Sequence, residues 1–160
     1  MRLEVNTRGW PTYNGIRNLK AEAFQIQWTP EMIAEAQRCR DDVVYFLSTY
    51  VKIVHPDKGV VYFEPYEFQK DFIQLMNDER FVVGKLARQC GKSTVMLGYI
   101  LHYILFNKTK QVAILANTHQ NAKKLMRQLK DMLQEVPMWL QQGVMKWDTQ
   151  EIILENKPLS

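Results

Sequence analysis

The stretch that decides the fold runs from Phe81 to Thr94 and reads FVVGKL followed by ARQCGKST. Its first six residues are apolar except for Gly84 and Lys85, which predicts a buried strand. Its last residues open an apolar run that we expect to continue as a helix to about Phe106. A strand that turns directly into a long helix predicts the first half of a β-α-β unit.

A second apolar run, Val112 to Ala116, follows that helix and completes the unit. Asn117 and Thr118 then cap a further predicted helix over about 119–135. Because crossovers between strands of one sheet are right-handed, the two strands are expected to be parallel, with ligands beyond their carboxyl ends. The predicted fold class is therefore α/β, a partial parallel sheet with helices on both faces.

The junction between strand and helix holds Gly91-Lys92-Ser93. A phosphate group needs backbone N–H donors at a helix N-terminus, a lysine, and a hydroxyl for the accompanying metal. We expect Lys92 to reach the β and γ oxygens of ATP and Ser93 to ligate Mg²⁺, with Thr94 as a less favoured substitute. The strict motif has glycine five residues before Gly91, where this chain has Leu86. The wider predicted binding loop comprises Ala87, Arg88, Gln89, Cys90, Gly91, Lys92, Ser93 and Thr94.

Arg88 places a second cation beside Lys92. It is either an exposed surface arginine or a residue that stabilises transition-state charge on the γ-phosphate, in the manner of an arginine finger supplied in cis. Upstream, Gln69 follows Phe68 on a predicted helix over about 66–77. A glutamine amide can pair with adenine while an aromatic ring stacks on it, so we predict adenine recognition by Gln69 and Phe68.

The residues before this core divide into two parts. Residues 1–28 lack periodicity and are interpreted as an N-terminal arm that orders on a partner. Residues 29–64 are expected to form a helical subdomain and a hairpin, beginning at the Thr29-Pro30 helix start and turning near 56–59. Residues 65–160 would be the nucleotide-binding core, ending in two short strands between Val144 and Leu154.

The amino-acid composition excludes few classes of function. Lys and Arg number 21 against 17 Asp and Glu, a net charge of +4 that permits a polyanionic partner without requiring one. The two cysteines and three histidines show no metal-ligand spacing, and no stretch is long and apolar enough for a signal peptide or a membrane span. One face of the helix over 119–135 is basic, which is typical of a solvated face or, less often, of DNA-backbone contact; it carries Lys123, Lys124, Arg127 and Lys130.

These residues resemble the start of a tailed-phage large terminase of the T-even type. Three stretches carry the resemblance: Asn18-Leu19-Lys20 with Gln27-Trp28-Thr29 and Cys39 to Phe46, the Tyr66-Glu67-Phe68-Gln69 adenine motif, and Arg88 to Thr94. Such terminases lack the first Walker A glycine and carry an arginine in the loop. The resemblance runs from about 15 to 154 and implies a P-loop NTPase fold of the ASCE/RecA-like type after an N-terminal helical subdomain.

By this resemblance, the complete protein would hydrolyse ATP to drive double-stranded DNA into a procapsid. Its partners would be the portal protein and the small terminase subunit, in the cytoplasm of the infected bacterium and at the portal vertex. The family's Walker B carboxylates, coupling motif and nuclease domain would follow Leu154, so we expect nucleotide binding with very slow turnover. A split gene, a frameshift or a fragment would each explain this, and a separate chain carrying the remainder is one further partner.

Two other interpretations stay open. A helicase-type ATPase also pairs an upstream glutamine with a phosphate-binding loop, although such helicases usually carry a further glycine where this chain has Gln89. A non-catalytic nucleotide-binding or assembly module is the second alternative. It would associate stoichiometrically with another polypeptide.

Overall fold

The structure, a computed structural model, describes residues 9–55, 57 and 59–155. It is a mixed α/β arrangement of five α-helices and two small antiparallel sheets of two strands each. No helix within the described ranges is long and apolar enough to cross a membrane.

Two helices and a hairpin form the N-terminal part. Helix α1 (Pro30–Asp41) is capped by the Thr29 hydroxyl, and α2 (Val43–Tyr50) by the Asp42 carboxylate. Glu35 joins the two helices, because its carboxylate accepts hydrogen bonds from the hydroxyls of Tyr45 at 2.7 Å and Tyr50 at 2.8 Å. Strands β1 (Lys52–His55) and β2 (Gly59–Tyr62) pair antiparallel, as the hairpin prediction required.

Three longer helices carry the rest of the fold. They are α3 (Glu67–Asp78), α4 (Lys92–Phe106) and α5 (His119–Glu135), close to the predicted bounds. Helix α4 is the most apolar of the three and packs against α2, α3 and α5. Gly98 permits close packing on α2, since a Cβ there would lie 2.8 Å from a methyl carbon of Leu47.

A second hairpin closes the described chain. Strand β3 (Val144–Trp147) pairs antiparallel with β4 (Ile152–Leu154), in the region where two short strands were predicted. Trp139, in the turn that leads to β3, is completely buried and makes edge-to-face contacts with Trp28 and Tyr50. The central core is therefore built from both halves of the chain.

Residues 9–28 are irregular, as expected, but they pack on this core rather than standing free. Gln141 is fully buried and fastens them. Its Nε2 donates to the carbonyl of Asn18 at 2.8 Å and to that of Val136 at 2.6 Å, while its Oε1 accepts from the Lys20 N–H at 3.1 Å. Leu19 is buried between these polar contacts. Residues 9–28 thus contact the rest of the chain, and ordering of the arm on a partner stays a prediction; residues 1–8 of the predicted arm lie outside the described residues.

The predicted parallel sheet is not present in the described residues. The segments 81–86 and 112–116 belong to no strand, and no backbone hydrogen bond joins them to each other. Phe81, Val83 and Leu115 are 83%, 97% and 92% exposed, whereas strands inside a parallel sheet are buried on both faces. An apolar run becomes a strand only when a neighbour supplies its ladder of hydrogen bonds, and the described chain places none beside either segment. The P-loop NTPase fold is accordingly not established by this architecture.

Candidate nucleotide-binding site

The predicted phosphate loop lies between segment 81–86 and the first turn of α4. Two of its residues have left-handed backbone conformations, Gln89 with φ of 60° and Gly91 with φ of 76°. Glycine adopts this conformation freely, but a glutamine does so only at an energetic cost. A strained residue two positions before a glycine at a helix N-terminus is typical of a loop shaped for a functional purpose.

Gln69 holds this loop from the side of α3. Its side chain is only 3% exposed, and both ends of its amide are hydrogen-bonded. The Oε1 accepts from the Tyr66 N–H at 2.9 Å and thereby caps α3, and the Nε2 donates to the Cys90 carbonyl at 2.9 Å. A Cβ on Gly91 would lie 2.8 Å from this same Nε2. Gln69 therefore acts on the loop in this structure, and its predicted contact with adenine stays a prediction.

Cys90 closes the loop on itself. Its thiol donates to the carbonyl of Ala87, with 3.0 Å between sulfur and oxygen. The thiol of Cys90 and that of Cys39 are both free, and Cys39 is buried in the core. The contact with Ala87 gives Cys90 a definite structural role in the loop.

The first turn of α4 presents unpaired donors. The earliest hydrogen bond of the helix runs from the Val95 N–H to the Gly91 carbonyl at 3.1 Å, so the N–H groups of Lys92, Ser93 and Thr94 have no acceptor within the helix. The first turn contains no acidic residue. The Lys92 and Ser93 side chains are exposed beside these donors. Such a helix terminus attracts anions through both its N–H groups and its dipole.

Arg88 lies in the turn of the loop and is also exposed. In the part of the chain that the structure describes, neither Arg88 nor Lys92 has a carboxylate within salt-bridge distance. Two neighbouring cations without counter-charges raise the local positive potential, and a phosphate chain would neutralise both.

The predicted adenine-stacking residue lies at the start of α3. Phe68 is 44% exposed and stacks on Tyr66, with ring centroids 6.0 Å apart and planes inclined by 11°. Further along α3, Phe72 packs on Gly84, where a Cβ would lie 2.9 Å from the phenylalanine ring. Helix α3 thus carries an exposed aromatic pair, the loop-holding Gln69, and a contact to the segment that precedes the loop.

No cluster of three or more His, Cys, Asp or Glu side chains suited to a metal occurs among the described residues. Magnesium in nucleotide sites is held by substrate phosphates, water and one or two protein oxygens, so the use of Mg²⁺ here stays a prediction. The Ser93 hydroxyl is exposed next to Lys92 and is the oxygen predicted for this role.

The basic face of α5 divides into two parts. Lys123, Lys124 and Arg127 are exposed, as the solvated interpretation expects. Lys130 instead donates to the Asp148 carbonyl and lies over the Trp147 ring, 4.6 Å from its centroid. Burial lowers the pKa of Lys130, although the nearby Asp148 carboxylate opposes that shift. Lys130 therefore fastens the β3–β4 hairpin to α5.

Residues 84–156 match the family model for the terminase large subunit, T4likevirus-type, N-terminal. This segment, 73 of the 160 residues, is similar to the N-terminal part of large terminases. The match begins at Gly84 and so includes the whole predicted phosphate loop, α4, α5 and the β3–β4 hairpin. It confirms the resemblance to a tailed-phage large terminase and supports, in general terms, a role in phage DNA packaging.

The terminase match does not extend to every stretch that suggested it. The Asn18–Lys20 and Tyr66–Gln69 stretches precede the matched residues, so their assignment to terminase motifs stays a prediction. Sequence reasoning also missed the bond between Gln69 and Cys90. The only available signal was the presence of a polar residue among Phe68, Phe72 and Ile73 on an otherwise amphipathic helix.

Proposed function

We propose that this chain binds ATP with Mg²⁺ at the loop Ala87–Gly91 and the first turn of α4, as the nucleotide-binding part of a terminase packaging motor. The observation that carries the proposal is the geometry at Gly91. A left-handed glycine precedes three unpaired N–H groups, and an exposed lysine and serine follow it directly. A polyphosphate supplies the acceptors and the negative charge that this arrangement lacks.

Each residue of the proposed site has a separate task. Lys92 would pair with the β and γ oxygens as a mobile cation, and Ser93 would give Mg²⁺ its protein oxygen. Arg88 would contribute charge at the γ-phosphate. Gln69 would keep Cys90 and Gly91 in place through its hydrogen bond to the Cys90 carbonyl. Phe68 would stack on the base.

The loop and the first turn contain no carboxylate, since residues 86–94 read LARQCGKST. Hydrolysis needs a group that orients the attacking water, and these residues do not provide one. The proposal for these residues is accordingly nucleotide binding. Coupling of hydrolysis to DNA movement belongs to the complete motor.

The macromolecular partners are also proposals. Double-stranded viral DNA would contact the exposed face of α5 formed by Lys123, Lys124 and Arg127, whose charges suit a phosphate backbone. The portal protein, the small terminase subunit and a separate chain carrying further motor parts would bind surfaces not yet assigned.

A comparison of nucleotides tests the phosphate site directly. Equilibrium dialysis with labelled ATP, ADP and AMP in Mg²⁺ is expected to rank ATP and ADP well above AMP, because AMP lacks the phosphates that Lys92 and the helix N-terminus would hold. Ser93→Ala is expected to reduce the gain in ATP affinity that Mg²⁺ gives. Ser48→Ala is the matched control, because Ser48 lies in α2 and donates to the Val44 carbonyl at 2.9 Å. Equal affinity for AMP and ATP would remove the basis of the proposal.

A further inference from the structure

A cavity of about 670 Å³ opens on the side of α4 and α5. Its two rims are each five consecutive residues, 110–114 on one side and 150–154 on the other. Its floor is apolar and consists of Ile100 and Ile104 from α4 with Met126 and Leu129 from α5. None of the predicted nucleotide-site residues lines it.

One rim, 110–114, belongs to no helix or strand, and the other contains strand β4. Residues 111–116 form no backbone hydrogen bond with any described residue. Strand β4 pairs with β3, and β3 does not line the cavity, so the other edge of β4 faces it. Unpaired N–H and C=O groups along two facing chain segments recognise a third extended chain, as in β-strand addition. The occupant with the matching chemistry is therefore a peptide strand.

The same chain has an apolar segment that is exposed to solvent. Residues 81–86 belong to no helix or strand, form no backbone hydrogen bond with a described residue, and are apolar apart from Gly84 and Lys85, with Phe81 83% and Val83 97% exposed. Six extended residues span about 20 Å and the five-residue rims about 16 Å, so the segment is long enough to fill the cavity. The exposed Val54 and Val60 are unsuitable occupants, because they already pair with each other across the β1–β2 hairpin.

We infer that the cavity receives residues 81–86 of a second copy of this chain, added as a strand between residues 110–114 and β4. The donor segment and the acceptor cavity are different surfaces, so the contact is head-to-tail and leaves a free donor and a free cavity at the ends. Because one inserted strand gives a small interface, association is expected to depend strongly on concentration. The inference does not depend on nucleotide binding.

Sedimentation velocity over a dilution series tests the inference. The wild-type chain is expected to self-associate. A lysine in either surface would bury an unpaired ammonium group, so Val83→Lys in the donor and Val112→Lys in the acceptor should each weaken association by at least about tenfold. Val54→Lys is the matched control, because Val54 is 74% exposed on the separate β1–β2 hairpin and should leave association unchanged. Circular dichroism spectra that match the wild type would show that the variants fold.

The most informative experiment mixes the two variants that associate weakly. Val83→Lys keeps an intact cavity and Val112→Lys keeps an intact donor segment, so an equimolar mixture should restore association as a dimer that cannot grow. A monomeric wild type would overturn the inference and leave the cavity to a strand of a different chain. An equal loss with Val54→Lys, or a mixture that stays monomeric, would overturn it as well. ATP affinity measured on the same variants reports separately on the proposed function.

Discussion

The side-chain amide of Gln69 donates a hydrogen bond to the main-chain carbonyl of Cys90, with 2.9 Å between nitrogen and oxygen. The two residues are 21 positions apart, and the bond fixes the loop before α4 to the start of α3. Because the opposite end of the amide caps α3 through Tyr66, one buried side chain determines the position of both elements. The shape of the phosphate loop therefore depends on a residue that need not touch phosphate.

Replacing Gln69 by leucine should loosen the loop. The Gln69→Leu change keeps the volume of the side chain but leaves the Tyr66 N–H and the Cys90 carbonyl without partners, at a cost of about 1–3 kcal/mol in unfolding free energy. Gln74→Leu, at an exposed position of the same helix, should change stability by less than about 0.5 kcal/mol. Urea unfolding measures both.

Thiol labelling reports on the loop itself in the same variants. Cys90 should react several-fold faster with a disulfide reagent in Gln69→Leu than in the wild type, whereas buried Cys39 serves as the slow internal reference. Unchanged Cys90 reactivity in Gln69→Leu would show that the loop keeps its shape without this bond.

Alanine substitutions at two glycines with similar backbone angles can distinguish the cost of backbone strain from the cost of steric crowding. Gly91 has φ of 76° and Gly59 has φ of 69°, so alanine at either position incurs the left-handed penalty of about 1–2 kcal/mol. Only Gly91→Ala also displaces the Gln69 amide, since a Cβ at Gly59 meets nothing within 4 Å. We expect Gly91→Ala to cost roughly 1 kcal/mol more than Gly59→Ala in urea unfolding. Equal costs would indicate that the Gln69 amide moves aside freely.

His102 should make the fold sensitive to mild acid. Its Nε2 lies 2.9 Å from the Cys39 carbonyl, and because a carbonyl can only accept, this nitrogen carries the proton of the neutral ring. Burial lowers the pKa of His102 below its usual value of 6.5, although hydrogen bonds to the Cys39 and Arg40 carbonyls oppose the shift. The unfolded chain therefore binds more protons just below pH 6.5, and the unfolding free energy should fall there by up to about 1.4 kcal/mol per pH unit.

The His102→Gln variant isolates this contribution. Glutamine retains a donor for the Cys39 carbonyl but does not titrate, so the difference in unfolding free energy between wild type and variant should narrow as pH falls from about 7 to about 5. Urea unfolding at several pH values measures it. A constant difference across this range would mean that another group causes the acid sensitivity.

The helices were predictable because their signals are local. Thr29 and Thr118 act as caps at the predicted starts, and α4 and α5 end at the expected residues because the apolar periodicity stops there. The β1–β2 and β3–β4 hairpins were likewise predictable, since a turn brings adjacent strands together without help from distant residues. The loop residues of the candidate site could also be chosen from the sequence, because a glycine, a lysine and a serine at a helix start have a direct chemical interpretation.

The parallel sheet and the loop support were not predictable in the same way. The apolar runs 81–86 and 112–116 become strands only if another chain segment lies beside them and forms hydrogen bonds with them. The local sequence does not encode whether such a segment is present. The partner of Gln69 lies on another element, and the attachment of residues 18–20 depends on Gln141, more than 120 positions later. Such contacts are consequences of tertiary packing.

The most direct test of the account is the affinity of the purified chain for ATP with Mg²⁺, measured by isothermal titration calorimetry on wild type, Lys92→Ala and Lys85→Ala. Both lysines are exposed, but only Lys92 lies on the first turn of α4 beside the unpaired N–H groups. We predict that the wild type binds ATP, that Lys92→Ala weakens binding by at least about tenfold through loss of a charge-assisted contact, and that Lys85→Ala does not. No binding by the wild type, or equal binding by all three proteins, would contradict the assignment of this loop as a nucleotide site.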